Sequence, residues 1–132
     1  MTVDPARAEA AWNKAAAHLR EAGALDAATA PMAVIHASYY AMFHAARAVL
    51  IRTAGSAPKR HDRVIQEFGR TVGNLDAALR EAGRSFNQAK DERTSADYDD
   101  TSAPSPDEAR EMLRIASAFL DACAAHFRFG AR

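Results

Sequence analysis

The sequence predicts an all-α domain, and three observations carry that prediction. Alanine supplies 33 of the 132 residues, one in four. Val, Ile and Leu together number only 16, so sheet formers are scarce while the best helix former dominates. Apolar residues also recur at three- and four-residue spacing along most of the chain, the period of a helix face and not of a strand. A core so rich in alanine needs helices packed close, with a few aromatic side chains as wedges. At this length residues 1–132 make one domain around one core.

Each helix has its own signals. Asp4-Pro5 reads as an N-cap followed by proline at the first helical position. Ala8, Trp12, Ala15, Leu19 and Ala22 then mark one face of a first helix, which stops at Gly23. Pro31 opens a second helix over about 31–53. Its broad apolar face carries Met32, Ile35, Tyr39, Met42, Phe43, Ala46, Val49 and Leu50, and a smooth second face carries Ala37, Ala41, Ala45 and Ala48. Two apolar faces make this helix central to the bundle. Gly55-Ser56-Ala57-Pro58 ends it. A short helix over about 61–71 places Val64, Ile65 and Phe68 on one side, and Gly73-Asn74 closes it. A fourth helix runs from about Leu75 towards Asp97 on the stripe Leu75, Leu79, Ala82, Phe86 and Ala89, and the same line then meets Arg93 and Asp97. Residues 99–104 read as a loop. Ser105-Pro106-Asp107-Glu108 is a capping box that starts the fifth helix, which continues through Met112, Ala116, Phe119, Leu120, Cys123 and Phe127.

Charge and cysteine content narrow the functional classes. Seventeen basic and seventeen acidic residues cancel, so the chain lacks the overall basic footprint of many nucleic-acid binders. The zero sum hides a separation, however. Residues 47–70 hold six basic side chains against Asp62 and Glu67, and 91–108 hold seven acidic ones against Arg93. A local basic patch of that kind touches RNA phosphates or an acidic partner, although solvated helix ends explain it as well. The single cysteine, Cys123, forms no intramolecular disulfide and lies on an apolar stripe, which suits a core position in a reducing cytoplasm. No secretory signal is visible at the N-terminus. The longest run free of charged residues, Ala27–Ala46, contains a proline, two histidines and two tyrosines, so it reads as a buried helix and not a membrane span.

Two constellations carry candidate chemistry. On the second helix His36, Tyr40, His44 and Arg47 form a narrow polar seam between the two apolar faces. Two imidazoles, a phenol and a guanidinium in line can hold a phosphate and move protons. The same residues can equally be buried polar groups that hydrogen-bond across helices. The seam is poorly spaced for a metal, so no metal or cofactor is expected. The second constellation is Arg93 with Asp97, either an anion-binding cleft at the end of a buried stripe or an ordinary i,i+4 ion pair. The acids that follow, up to Asp100, read as solvated. Nucleophile elbows, P-loops and dinucleotide-binding glycine motifs are absent.

The string Ser38-Tyr39-Tyr40-Ala41-Met42-Phe43-His44-Ala45-Ala46-Arg47-Ala48-Val49-Leu50 resembles the signature helix of HEPN-domain proteins, in particular their small stand-alone prokaryotic branch. Three further segments match in the same order: Lys59-Arg60-His61 ahead of Val64-Ile65 and Phe68, then Arg93 with Ala96-Asp97-Tyr98, then Glu108-Ala109 before Ala116, Phe119 and Leu120. The resemblance spans about residues 5–127. It implies an antiparallel up-and-down bundle of four main helices plus one short helix, often a homodimer. It also implies a place in a toxin–antitoxin pair beside a small nucleotidyltransferase, with RNA or a nucleotide as ligand. Active members of the family use an Arg, four to six intervening residues and then a His, the Arg holding the scissile phosphate and the His moving the 2′-hydroxyl proton.

The chain departs from that motif. None of His18, His36, His44, His61 and His126 follows an Arg at the required distance, and the position five after Arg93 is Tyr98. Three expectations follow. The first is a dimeric RNA- or nucleotide-associated module with a degenerate ribonuclease motif, docking through the alanine face or the Arg93 cleft. The second is a metal-independent endoribonuclease in which Arg93 works with a displaced His44, with His61 or with Tyr98. The third is a structural adaptor. His36, Tyr40, Arg47, His61 and Asp97 are the expected ligand-binding residues, and Arg93, Tyr98 and His44 the catalytic ones.

Overall fold

The computed structural model describes residues 5–98 and 103–130, which fold into five helices with no strand among them. They are α1 (Pro5–Ala24), α2 (Pro31–Ala54), α3 (His61–Val72), α4 (Ala77–Tyr98) and α5 (Pro106–Phe127). The expected N-cap Asp4 and most of the 99–104 loop lie outside the described residues. Elsewhere the end signals act as read. Gly55 takes the left-handed conformation at φ 87° and donates its N–H to the Ile51 carbonyl, closing α2. Ser105 and Glu108 form the reciprocal capping box of α5. The start of α4 differs from the expectation, because Asp76 acts as its cap. The Asp76 carboxylate accepts the Leu79 N–H at 3.0 Å, so the helix begins at Ala77 and Leu75 stays outside it.

Side-chain pairings give the directions of the helices. The start of α1 meets the end of α2, where Arg7 donates to the Gly55 carbonyl and Glu9 pairs with Arg52. The two are therefore antiparallel. On α4, Phe86 packs against Phe119 of α5, while Glu92 feels the charges of Glu108 and Glu111 near the α5 start, which makes this pair antiparallel too. Helix α2 packs against all four others and is the central element. Its alanine face is consumed inside the chain: Ala41, Ala45 and Ala48 are fully buried, and α1 brings its own small residues Ala8, Ala11 and Ala15 to the most extensive pairing in the bundle. Of the four alanines expected to offer a docking face, only Ala37 keeps partial exposure, so Ala41, Ala45 and Ala48 have no surface left for a second copy.

Bulk comes from few side chains. Phe68, Phe86 and Phe119 converge from three helices with ring centroids 5.0–6.1 Å apart. Each is at most 2% exposed, and truncating one to alanine costs about 3–5 kcal/mol. At the other end Trp12 stacks on Phe129 at 4.5 Å and donates its indole N–H to the Gly130 carbonyl. Arg52 fastens this end, donating to the Phe127 and Arg128 carbonyls and to Glu9, with its guanidinium 3.9 Å above the Phe129 ring. No helix among the described residues is long and apolar enough to cross a membrane.

Candidate functional site

The polar seam of α2 does not act as one unit. Arg47 donates its Nε–H to the Pro58 carbonyl, which ties the α2–α3 loop to its own helix. His44 stacks face to face on His18 of α1, ring centroids 5.2 Å apart. Burial, followed by the nearby His18, Lys14 and Arg47, pulls His44 down to about 4, so it is uncharged at neutral pH. Its Nδ1 is buried without a hydrogen-bond partner. Of the remaining two seam residues, His36 pairs with Asp97 of α4, and Tyr40 lies between His18 of α1 and His61 of α3.

There the structure assembles a cluster around a residue that periodicity assigned to the apolar face. Tyr39 is fully buried, yet its hydroxyl hydrogen-bonds His61 Nδ1 at 2.8 Å. Helix α4 supplies Arg93, whose guanidinium lies 4.8 Å above the Tyr39 ring centroid and 6.0 Å from that of Tyr40. The phenol thus has an imidazole at its oxygen and a cation on its face. A buried tyrosine hydroxyl needs a partner, a requirement that the 3.6-residue period cannot display. His61, the first residue of α3, is wedged against Phe43 at 4.2 Å and edge-on to Tyr40 at 5.7 Å.

Asp97 completes the group. It accepts from Arg93 at 3.4 Å, one turn back on α4, and pairs with His36 of α2. The sequence stripe Phe86, Ala89, Arg93, Asp97 therefore does leave the core as a polar line, and it meets the seam residues His36 and Tyr40 there. Arg93 is only partly satisfied: its side chain is 21% exposed, its Nε is buried without a partner, and its ion pair with Asp97 is long. Tyr98, by contrast, is 78% exposed at the last residue of α4. His44 is stacked on His18, and Tyr40 has ring contacts with both His44 and Arg93.

The electrostatics favour a neutral imidazole beside a cation. Burial, then the positive charges of Arg93 and Lys90, hold His61 below the ordinary histidine range, with Asp62 opposing. Burial pushes the Tyr39 phenol up to about 12, against the pull of Arg93, so it remains protonated. Such a cluster can hold an anion at Arg93 and exchange a proton at His61 without first deprotonating the histidine.

The basic stretch read from sequence is mostly spent. Arg60 is forked onto Asp62, Arg63 reaches Glu67, and Arg47 and Arg52 bind main-chain carbonyls. What separated as a block of charge along the chain is therefore largely loop and terminus fastening in space.

Comparison with known proteins places the chain in a family. The chain is 36% identical over 84 residues to a protein of Methanocaldococcus jannaschii named as a candidate toxin, an alignment covering 64% of this chain and 61% of the relative. The chain thus spans about three-fifths of that relative's length. The HEPN domain pattern matches residues 8–126, taking in all of α2, α3 and α4 and the Arg93–Tyr39–His61 cluster. The chain belongs to the HEPN domain family.

Proposed function

We propose that this HEPN protein is a toxin-type endoribonuclease that cuts RNA without a metal, with Arg93 as phosphate anchor and His61 as the proton-moving group. One observation carries the reading: a single buried ring, Tyr39, seats Arg93 on its face and holds His61 at its hydroxyl. When His61 Nδ1–H donates to the phenol oxygen, Nε2 carries the free lone pair. It takes the proton of a ribose 2′-hydroxyl, the 2′ oxygen attacks phosphorus, and the bond to the 5′ oxygen breaks. The products are a 2′,3′-cyclic phosphate and a 5′-hydroxyl, whose proton comes from water. Arg93 offsets the charge that builds on the phosphoryl oxygens at the transition state. The displaced histidine therefore comes from the start of α3 and not from the position after Arg93.

Incubation with a single-stranded RNA in excess EDTA tests this directly. Wild type releases cyclic-phosphate ends, and Arg93→Ala or His61→Gln each slows release about a hundredfold or more. RNA left intact by correctly folded wild type contradicts the reading.

A second reading rests on Asp97, which already neutralises Arg93 and also takes His36. A network closed in this way suits a dimeric module that recognises RNA or a nucleotide without cutting it, working in the cytoplasm beside a nucleotidyltransferase partner. RNA binding that survives His61→Gln, fails in Arg93→Ala and never leads to cutting selects this reading. Sedimentation measures the dimer, and co-purification with a co-expressed nucleotidyltransferase measures the pairing.

A further inference from the structure

Helices α3 and α4 enclose a groove of about 570 Å³ that none of the roles above uses. Its α4 wall presents Arg80, Arg84, Asn87 and Lys90. These recur at four-, three- and three-residue spacing, so they form one ladder about 15 Å long along the helix. One carboxylate lines the groove, that of Asp62, and it is engaged by Arg60 through two hydrogen bonds. Arg84 is held by Glu81, whereas Arg80 and Lys90 have no carboxylate partner among the described residues. The groove is therefore cationic although the chain is neutral.

Three glycines, Gly69, Gly73 and Gly83, are among the residues that line it. Where α3 and α4 cross, a Cβ on Gly83 would lie 3.7 Å from the Gly69 Cα, so the helices approach closely there. A Cβ on Gly69 would meet nothing within 4 Å. Packing thus does not require glycine at position 69, and a mid-helix glycine costs about 1 kcal/mol relative to alanine. Glycine at that position leaves open exactly the space in which a flat group can lie against the helix.

The groove also leads to the site. Lys90 is one turn before Arg93 on α4 and close enough to depress His61, while Asp62 directly follows His61 on α3. We infer that the groove is the track for single-stranded RNA, its phosphates following Arg80, Arg84 and Lys90 towards Arg93 and a nucleotide resting over Gly69. This deepens the cleavage reading and rests on it for the direction of the strand. An acidic peptide would also find the cations, but the continuity with a phosphate anchor and a proton-moving histidine favours RNA.

The test separates binding from cutting. Binding is measured by fluorescence anisotropy with a 2′-O-methyl RNA twelve-mer, which cannot be cut, on the full chain. Arg80→Glu weakens binding about tenfold and lowers the log–log salt slope by about one, the signature of a lost phosphate contact. Gly69→Leu fills the open space at position 69 and weakens binding comparably, with helix content and melting temperature checked by circular dichroism. Gly69→Ala serves as the milder variant if leucine disturbs folding. Wild-type affinity and salt slope in Arg80→Glu and in the folded Gly69 variant overturn the track even where cutting is intact. Weakened binding in these variants beside a wild type that never cuts upholds the groove as an RNA surface and overturns the cleavage reading instead.

Discussion

Two arginines of this bundle lie over aromatic rings, and the difference between them shows how to tell a fastening from a site. Arg52 lies 3.9 Å above Phe129 and spends its guanidinium on two carbonyls and a carboxylate. Its surroundings ask for nothing more, and it locks the C-terminal end of α5 to α1 and α2. Arg93 lies 4.8 Å above Tyr39 with a long ion pair to Asp97 and an Nε left without a partner. Both are cation–π contacts of comparable strength. Only Arg93 keeps donors in reserve, and only Arg93 shares its ring with a histidine, His61 at the Tyr39 hydroxyl. Incomplete satisfaction, and not the presence of charge among aromatics, is what singles out Arg93 as the proposed phosphate anchor.

Substitution at the two arginines should therefore give opposite results. Arg93→Ala lowers the RNA cleavage rate about a hundredfold or more while changing stability by about 1 kcal/mol. Arg52→Ala lowers stability by about 2–3 kcal/mol, since it strands a carboxylate and two carbonyls, and leaves the cleavage rate of the folded protein near wild type. Chemical denaturation together with the cleavage assay reads both, and a similar profile for the two variants breaks the comparison.

Tyr39→Phe sharpens it further. Removing one hydroxyl frees His61 from its hydrogen bond but keeps the ring beneath Arg93. Cleavage falls about tenfold at a stability cost of about 1 kcal/mol. A cleavage rate equal to wild type would show that the hydroxyl does not position His61.

Titration gives smaller effects with definite signs. Followed by NMR, His61 titrates below the ordinary histidine range, and Lys90→Ala moves it upward by removing one of the positive charges that depress it. A downward move contradicts the electrostatic picture. His44 affects stability instead. Its folded value of about 4 lies under the 6.5 of an unperturbed histidine, so acid protonates the unfolded chain first. Melting temperature accordingly falls as pH drops from 6.5 towards 4, and His44→Gln flattens that part of the curve.

The helical fold was legible in sequence because alanine content, capping residues and the 3.6-residue period are local signals. The α4 stripe even pointed correctly from Phe86 and Ala89 out to Arg93 and Asp97. Half of the site was legible for the same reason, since His36, Tyr40, Arg93 and Asp97 break their apolar surroundings. Tyr39 escaped because its ring satisfies the apolar period while its hydroxyl is invisible to it. His61 was already legible as a ligand-binding residue and a displaced partner for Arg93, but its meeting with Tyr39 depends on how the loop before α3 turns back. Arg47 and Arg52 were misleading for a related reason: their partners are main-chain carbonyls, which no residue type announces. The groove between α3 and α4 needed both helices in place before Gly69 and the arginine ladder could be seen to face one space.

The claim that Arg93 and His61 form one centre across Tyr39 is tested most directly by a double-mutant cycle on the cleavage rate. Groups that act together in one transition state are non-additive, so Arg93→Ala/His61→Gln should cut about as slowly as the worse single variant. Losses that multiply, so that the double variant falls by the product of the two single effects, would place the two residues in independent roles and contradict a shared centre.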